Sequence, residues 1–251
     1  MLLKYSLLAI ILLTSLSMEK SFGQIVRKSK IEFYSSDSLL LTADHYFSKK
    51  GNQYILFFHS ENSSRGEFDN IANRFTKMRY NCLAVDLRTG NKYGYIKNES
   101  AERASRSNVK NSLISGEKDI LAAIEFAQSL SNKNLILFGS SSSASLSLKI
   151  AAEINNIDAV MALSPGEYFK PEFAVQNLIP DFNIPIFVAG NKIEEPYLND
   201  MFFELKEEYK SIVDPADNSE GRGTELLSQN NPANNEYWMA VLIFIKSLNP
   251  N

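Results

Sequence analysis

Between Leu135 and Ile150 the chain reads L-I-L-F-G-S-S-S-S-A-S-L-S-L-K-I, and this stretch constrains the fold more than any other. A short apolar run ends at Gly139, four serines follow, and a small-residue segment continues through Ala151 and Ala152, which predicts strand, sharp turn and helix. Ser141 falls at the turn. In a G-x-S-x-G elbow the strained turn holds the serine oxygen clear of the sheet, and the next backbone N–H, here that of Ser142, helps to bind an oxyanion. Ser143 stands where the pattern has its closing glycine. A Ser-rich linker is the bland reading, but linkers are not bracketed tightly by apolar runs. A phosphate-gripping loop would need Gly-Lys-Ser/Thr at its end, and no lysine follows until Lys149.

The pattern around this stretch is one of strands alternating with helices. Ile31 to Phe33 and Leu39 to Ala43 flank the polar turn Ser35 to Ser38 and predict an opening antiparallel hairpin. Tyr54 to Phe58 and Leu83 to Val85 read as strands buried on both faces, separated by a helix carrying Phe68, Ile71, Phe75 and Met78. Thr89 to Ser112 shows no sustained period and reads as an exposed loop. Helical spacing returns at Ile120 to Leu130 and delivers the chain to the elbow strand. Beyond it, Ala159 to Leu163 and Pro185 to Ala189 predict strands, Tyr197 to Tyr209 a helix, Ser211 to Val213 an edge strand, and Tyr237 to Leu248 a closing helix, with Trp238 as a packing residue at its edge. Such alternation implies an α/β fold, a mostly parallel twisted sheet with helices on both faces. Ligands bind such sheets beyond the carboxyl ends of the strands, where His59, Asp86, Ser141, Ser164 and the loop after Gly190 are all expected.

Composition narrows the function classes. Met1 to Gly23 has Lys4 near its start, an apolar run from Leu7 to Leu13 and a Ser-x-Gly end, which reads as a secretory signal peptide. Ser15, Ser17, Glu19 and Lys20 interrupt that run well short of the roughly 20 residues of a membrane span. The expectation is therefore a signal peptide at 1–23, one domain at 24–251, an extracytoplasmic (periplasmic or secreted) location and no membrane span after cleavage. A net charge of −3 without a basic cluster argues against nucleic acid as a partner. Cys82 is the only cysteine, so there is no internal disulfide; with no Cys/His cluster, no metal and no cofactor are expected.

Several motifs, taken in order, resemble the α/β-hydrolase family, in particular its small dienelactone-hydrolase-like and carboxylesterase-like extracytoplasmic members. They are F-F-H-S at 57–60, V-D-L-R at 85–88, G-S-S-S-S at 139–143, L-S-P-G at 163–166, I-P-I-F-V-A-G at 184–190 and G-R-G-T-E-L-L at 221–227. The resemblance spans about Ile31 to Leu248 and implies a Ser, Asp/Glu, His triad in that chain order. It implies Ser141 as nucleophile, Ser60 and Ser142 at the oxyanion site, and an acid just after the strand ending at Gly190. Glu194 is the candidate acid, with a solvated helix-start carboxylate as the competing reading. The family's late His-Gly-Thr/Ser aligns with Arg222-Gly223-Thr224, so arginine stands at the histidine position, and arginine stays protonated. His59 is the candidate substitute base, although the resemblance gives it a structural role beside the elbow.

These features point to a serine-esterase lineage with an incomplete triad, weakly active or inactive on esters, a pseudoenzyme by descent. Two alternatives stand beside it. One is an active serine hydrolase for an ester or thioester, using a non-standard base. The other is a non-catalytic module that binds a small ester, a carboxylate or a protein. Arg222 is expected to pair with Glu194 or Glu195 in a partly closed pocket.

Overall fold

The structure, a computed structural model, describes residues 26–248, so the segment read as a signal peptide lies outside the described residues. In chain order the elements are β1 (Arg27–Tyr34), β2 (Leu40–Phe47), β3 (Tyr54–Phe58), α1 (Asp69–Lys77), β4 (Asn81–Val85), β5 (Lys92–Tyr93), β6 (Ile96–Lys97) and α2 (Glu99–Ser105). There follow α3 (Glu117–Leu130), β7 (Leu135–Ser140), α4 (Ser142–Glu153), β8 (Ile157–Leu163), β9 (Ile186–Ala189), α5 (Glu195–Met201), β10 (Lys210–Ile212) and α6 (Asn234–Leu248). Eight strands form one sheet in the order β1-β2-β4-β3-β7-β8-β9-β10. The β1–β2 and β2–β4 pairs are antiparallel and the remaining pairs are parallel. This is the mostly parallel sheet with an N-terminal antiparallel pair that the strand-helix alternation predicts.

Both faces of the sheet are covered, because side chains alternate along each strand. Leu56, Phe58, Leu135 and Leu137 join one core with Ile120 and Ile124 of α3 and Leu146 and Ile150 of α4. Ile55, Phe57, Ile136 and Phe138 join the other, with Ile71 and Phe75 of α1 and Tyr237, Val241 and Phe244 of α6. Trp238 is buried there, its indole N–H donating to Leu227 O at 3.0 Å while the Arg74 guanidinium stacks on its ring.

Two segments depart from the periodic reading. Residues 89–112 are not one exposed loop: β5 and β6 pair as a small hairpin and α2 follows. Polar side chains order this segment, which is why hydrophobic period misses it. Asn98 caps α2 by accepting the Ala101 N–H at 2.8 Å, and its amide donates to Leu87 O at 2.9 Å. Asp86 accepts the Glu99 N–H at 2.8 Å and the Arg65 guanidinium at 2.6 Å. The helix predicted over 197–209 stops at Met201, because the chain turns there to bury Phe202 and Leu205 in the core.

Candidate active site

Ser141 occupies a single-residue turn between β7 and α4, with φ 58° and ψ −123°. A non-glycine residue at positive φ is strained. The surroundings over-determine it. The Ser141 N–H donates to Leu163 O on β8 at 2.8 Å, and the turn is closed from below by Gly139. A Cβ on Gly139 would lie 2.4 Å from Ala144 Cα, so no other residue fits. Ser143, in contrast, fits where the elbow pattern has glycine. Its hydroxyl accepts the Ser140 N–H at 3.0 Å and donates to Phe58 O at 2.5 Å, tying the turn to the end of β3.

Parallel order brings the carboxyl ends of β3, β7, β8 and β9 side by side, as the registers Phe58↔Gly139 and Leu163↔Ala189 show. A cleft of about 300 Å³ opens there, lined by Ser60, Glu67, Tyr93, Ser141, Arg222 and Thr224 among others. Asp86, expected on the same edge, is turned away into the buried Arg65 pair.

Arg222 and Glu194 meet beside Ser141. Arg222 Nε donates to Glu194 Oε1 at 2.7 Å, while Glu195 instead faces Lys192 at 2.7 Å. The other Glu194 oxygen accepts the Ser164 hydroxyl at 2.8 Å and the Asn191 N–H at 3.2 Å, so this carboxylate is held, not loosely solvated. Burial alone would lower the Arg222 pKa, but the adjoining Glu194 charge and hydrogen bond more than offset it and the guanidinium stays firmly protonated. The pocket around it is more open than expected: the Arg222 side chain is 60% exposed. The pair then contributes about 1 kcal/mol or less to stability.

His59 is not brought to Ser141. It is buried, with Nδ1 2.7 Å from Ser60 O and Nε2 accepting the Leu87 N–H at 3.0 Å. With both ring nitrogens engaged by backbone, the substitute-base reading of His59 fails on geometry. The chain's other histidine, His45, lies on β2 with Nε2 3.1 Å from the Tyr54 hydroxyl. No histidine therefore serves Ser141.

Ser60 and Ser142, which the resemblance implies for an oxyanion site, have commitments of their own. Ser60 lines the cleft, but its N–H and hydroxyl both donate to Glu67 Oε2, at 3.0 and 2.9 Å. Glu67 Oε1 accepts the Thr224 hydroxyl at 2.9 Å. Ser142 begins α4, whose N-terminal dipole favours negative charge, and its hydroxyl donates to Glu61 at 2.7 Å. A negative charge developing on a substrate oxygen would find one helix terminus and, on the other side, an amide already committed to a carboxylate.

Sequence reasoning missed Glu67 and Tyr168, and gave Thr224 no role beyond its place in the late loop motif. Tyr168 follows the strand-end S-P-G, and its phenol oxygen lies 2.9 Å from Ser141 Oγ and 3.2 Å from Arg222 Nη2. Its ring packs on Gly166, where a Cβ would fall 2.8 Å from the ring. A tyrosine four residues beyond Ser164 was the available signal. Cys82 is buried on β4, and burial pushes its thiol up to about 12, which leaves it inert. Among the described residues no cluster of three or more potential metal ligands occurs, and no helix is long and apolar enough to cross a membrane.

No protein-family model matches this sequence, and no curated protein matches it. Solved structures do. An esterase from Pyrococcus furiosus aligns with a TM-score of 0.67 at 15% identity, over 88% of this chain and 93% of its own. A dienelactone hydrolase from Anabaena variabilis gives 0.64 at 14% identity, over 88% and 96% of the two chains. An α/β hydrolase from Penicillium sp. gives 0.66 at 14% identity, over 88% and 98%. At these identities the likeness is one of fold, and the fold is that of the α/β hydrolases.

Proposed function

We propose that this α/β-hydrolase-fold chain is of serine-esterase lineage, with Ser141 as the former or residual nucleophile and with ester hydrolysis reduced to a weak activity. One observation carries the reading: Arg222, at the position where the resemblance places the catalytic histidine, is bound through Nε to Glu194 at 2.7 Å. The carboxylate that would orient an imidazole instead holds a permanent cation, which cannot take the serine proton. In a serine hydrolase of another fold, loss of the histidine alone lowers kcat by about 10⁶, leaving roughly 10³ to 10⁴ over water.

The test is Arg222→His. Hydrolysis of p-nitrophenyl acetate should rise at least tenfold and be abolished by adding Ser141→Ala. No rise, with the fold intact by circular dichroism, would defeat the lineage reading of the Arg222 position.

A second reading, a non-catalytic module for a small ester, carboxylate or protein ligand, is favoured by the Ser60 N–H being committed to Glu67. A clean absence of fluorophosphonate labelling in both the unmodified protein and Arg222→His would support it.

A further inference from the structure

We propose that Tyr168 is the group that exchanges the Ser141 proton, so that the residual reactivity of Ser141 runs through a phenol in place of an imidazole. This rests on the esterase-lineage reading above and goes beyond it by naming the base. Among the described residues, Tyr168 is the one side chain hydrogen-bonded to Ser141 Oγ, at 2.9 Å. The other candidates are engaged elsewhere: His59 with backbone, Glu61 with Ser142, Glu67 with Ser60 and Thr224, and Glu194 with Arg222.

The geometry around the phenol oxygen suits a base. Arg222 can only donate, and its Nη2 lies 3.2 Å away. The Tyr168 proton has Ser164 O as an alternative acceptor at 3.4 Å, beyond good hydrogen-bond length. A phenolate oxygen at this position would have the Arg222 N–H at 3.2 Å and the Ser141 O–H at 2.9 Å as its donors. The ring's position is set by Gly166, whose N–H and carbonyl are both held by the Ser145 hydroxyl, at 3.0 and 2.7 Å. Ser141 also lines the cleft, and its hydroxyl and the Tyr168 phenol share one hydrogen bond in which either oxygen can donate.

In the proposed step, Ser141 Oγ forms a bond to the ester carbonyl carbon and passes its proton to the Tyr168 phenolate. The tetrahedral species then expels the alcohol oxygen, which takes that proton from Tyr168 and leaves the acyl-serine and the phenolate. Water repeats the cycle: its proton goes to Tyr168, its oxygen joins the acyl carbon, and Ser141 departs reclaiming the proton. Nothing beyond ester and water is consumed. The charged and titratable groups facing the phenol are Arg222 with Glu194 behind it, Tyr197 from α5, and Glu167 in the adjoining turn. The Glu167 carboxylate is spent on the Val175 and Gln176 N–H groups.

The experiment measures the rate of fluorophosphonate labelling at Ser141 against pH, by intact mass, in the unmodified protein, Tyr168→Phe, Tyr168→His and Ser141→Ala. Labelling should rise with pH along one ionisation limb in the unmodified protein and be absent in Ser141→Ala. Tyr168→Phe should be at least tenfold slower and lose the limb with its Tm unchanged, a loss within the range of general-base contributions of about 10²- to 10⁴-fold. Tyr168→His should restore labelling and move the limb toward neutral pH. An unchanged rate and profile in Tyr168→Phe would overturn the proposal, as would no labelling of the unmodified protein at any pH. Failure of Arg222→His to gain activity is a separate result, because it tests the histidine position while labelling of Tyr168→Phe tests the proton acceptor.

Discussion

At the scale of single residues, the site is decided by what each polar atom is already bonded to. Glu67 is the clearest case after Arg222. Its carboxylate takes the Ser60 N–H, the donor that the proposed esterase reading would aim at an acyl-transfer oxyanion. Glu67→Gln removes the carboxylate charge at nearly constant shape. In the Arg222→His background it should raise kcat on p-nitrophenyl acetate by a further tenfold or more, since one oxyanion donor is worth about 10²- to 10³-fold elsewhere. Steady-state kinetics of the single and double variants check this, and an unchanged kcat would mean the Ser60 amide takes no part. That arginine stands at 222, where the family resemblance implies a histidine, was legible in the sequence as the short loop motif G-R-G-T at 221–224. The partners of Glu67 were not, since Ser60 and Thr224 are far from each other in sequence and meet only through the sheet.

At the scale of elements, ion pairs hold the segments that periodicity could not place. Arg88 follows β4 and is fully buried, with its guanidinium on Asp119 of α3 at 2.7 Å and on Asp37 of the β1–β2 turn at 2.8 Å. Asp119 also accepts the Arg88 N–H at 2.7 Å, so one carboxylate fixes both the start of the 89–112 segment and the first turn of α3. Removing one partner of a buried pair leaves a charge uncompensated. Asp119→Asn should therefore cost about 3 kcal/mol in urea unfolding. It should also loosen α2 ahead of the sheet, seen as earlier amide exchange over residues 99–105. A loss below about 0.5 kcal/mol would show that Asp37 alone suffices for Arg88.

At the scale of the whole molecule, Asp37 of this network contributes to the response to acid. The Arg88 hydrogen bond, aided by Ser35 and Lys118 against the opposing effect of burial, holds the Asp37 carboxyl well below the usual carboxylate range. A carboxylate that binds its proton less readily folded than unfolded stabilises the fold fully above its unfolded pKa of about 3.9, and that contribution is lost as the pH falls below it. Unfolding free energy should then drop less steeply between about pH 4 and pH 2 in Asp37→Asn than in the unmodified protein. Equal slopes in urea titrations would remove Asp37 from the account. From sequence alone, the mostly parallel sheet, the position of Ser141 at a strand-to-helix turn, and arginine in the late loop were all determined. Each is encoded within a few consecutive residues, by side-chain period or by a glycine that only one backbone path admits. Tertiary structure alone decided that His59 is spent on the backbone, that Glu67 holds the Ser60 amide, and that Tyr168 stands 2.9 Å from Ser141 Oγ. The first and last of those contacts join groups brought together by parallel strand order, the Ser60–Glu67 contact depends on the path of the loop after β3, and a hydrogen bond depends on distances that no spacing along the chain contains.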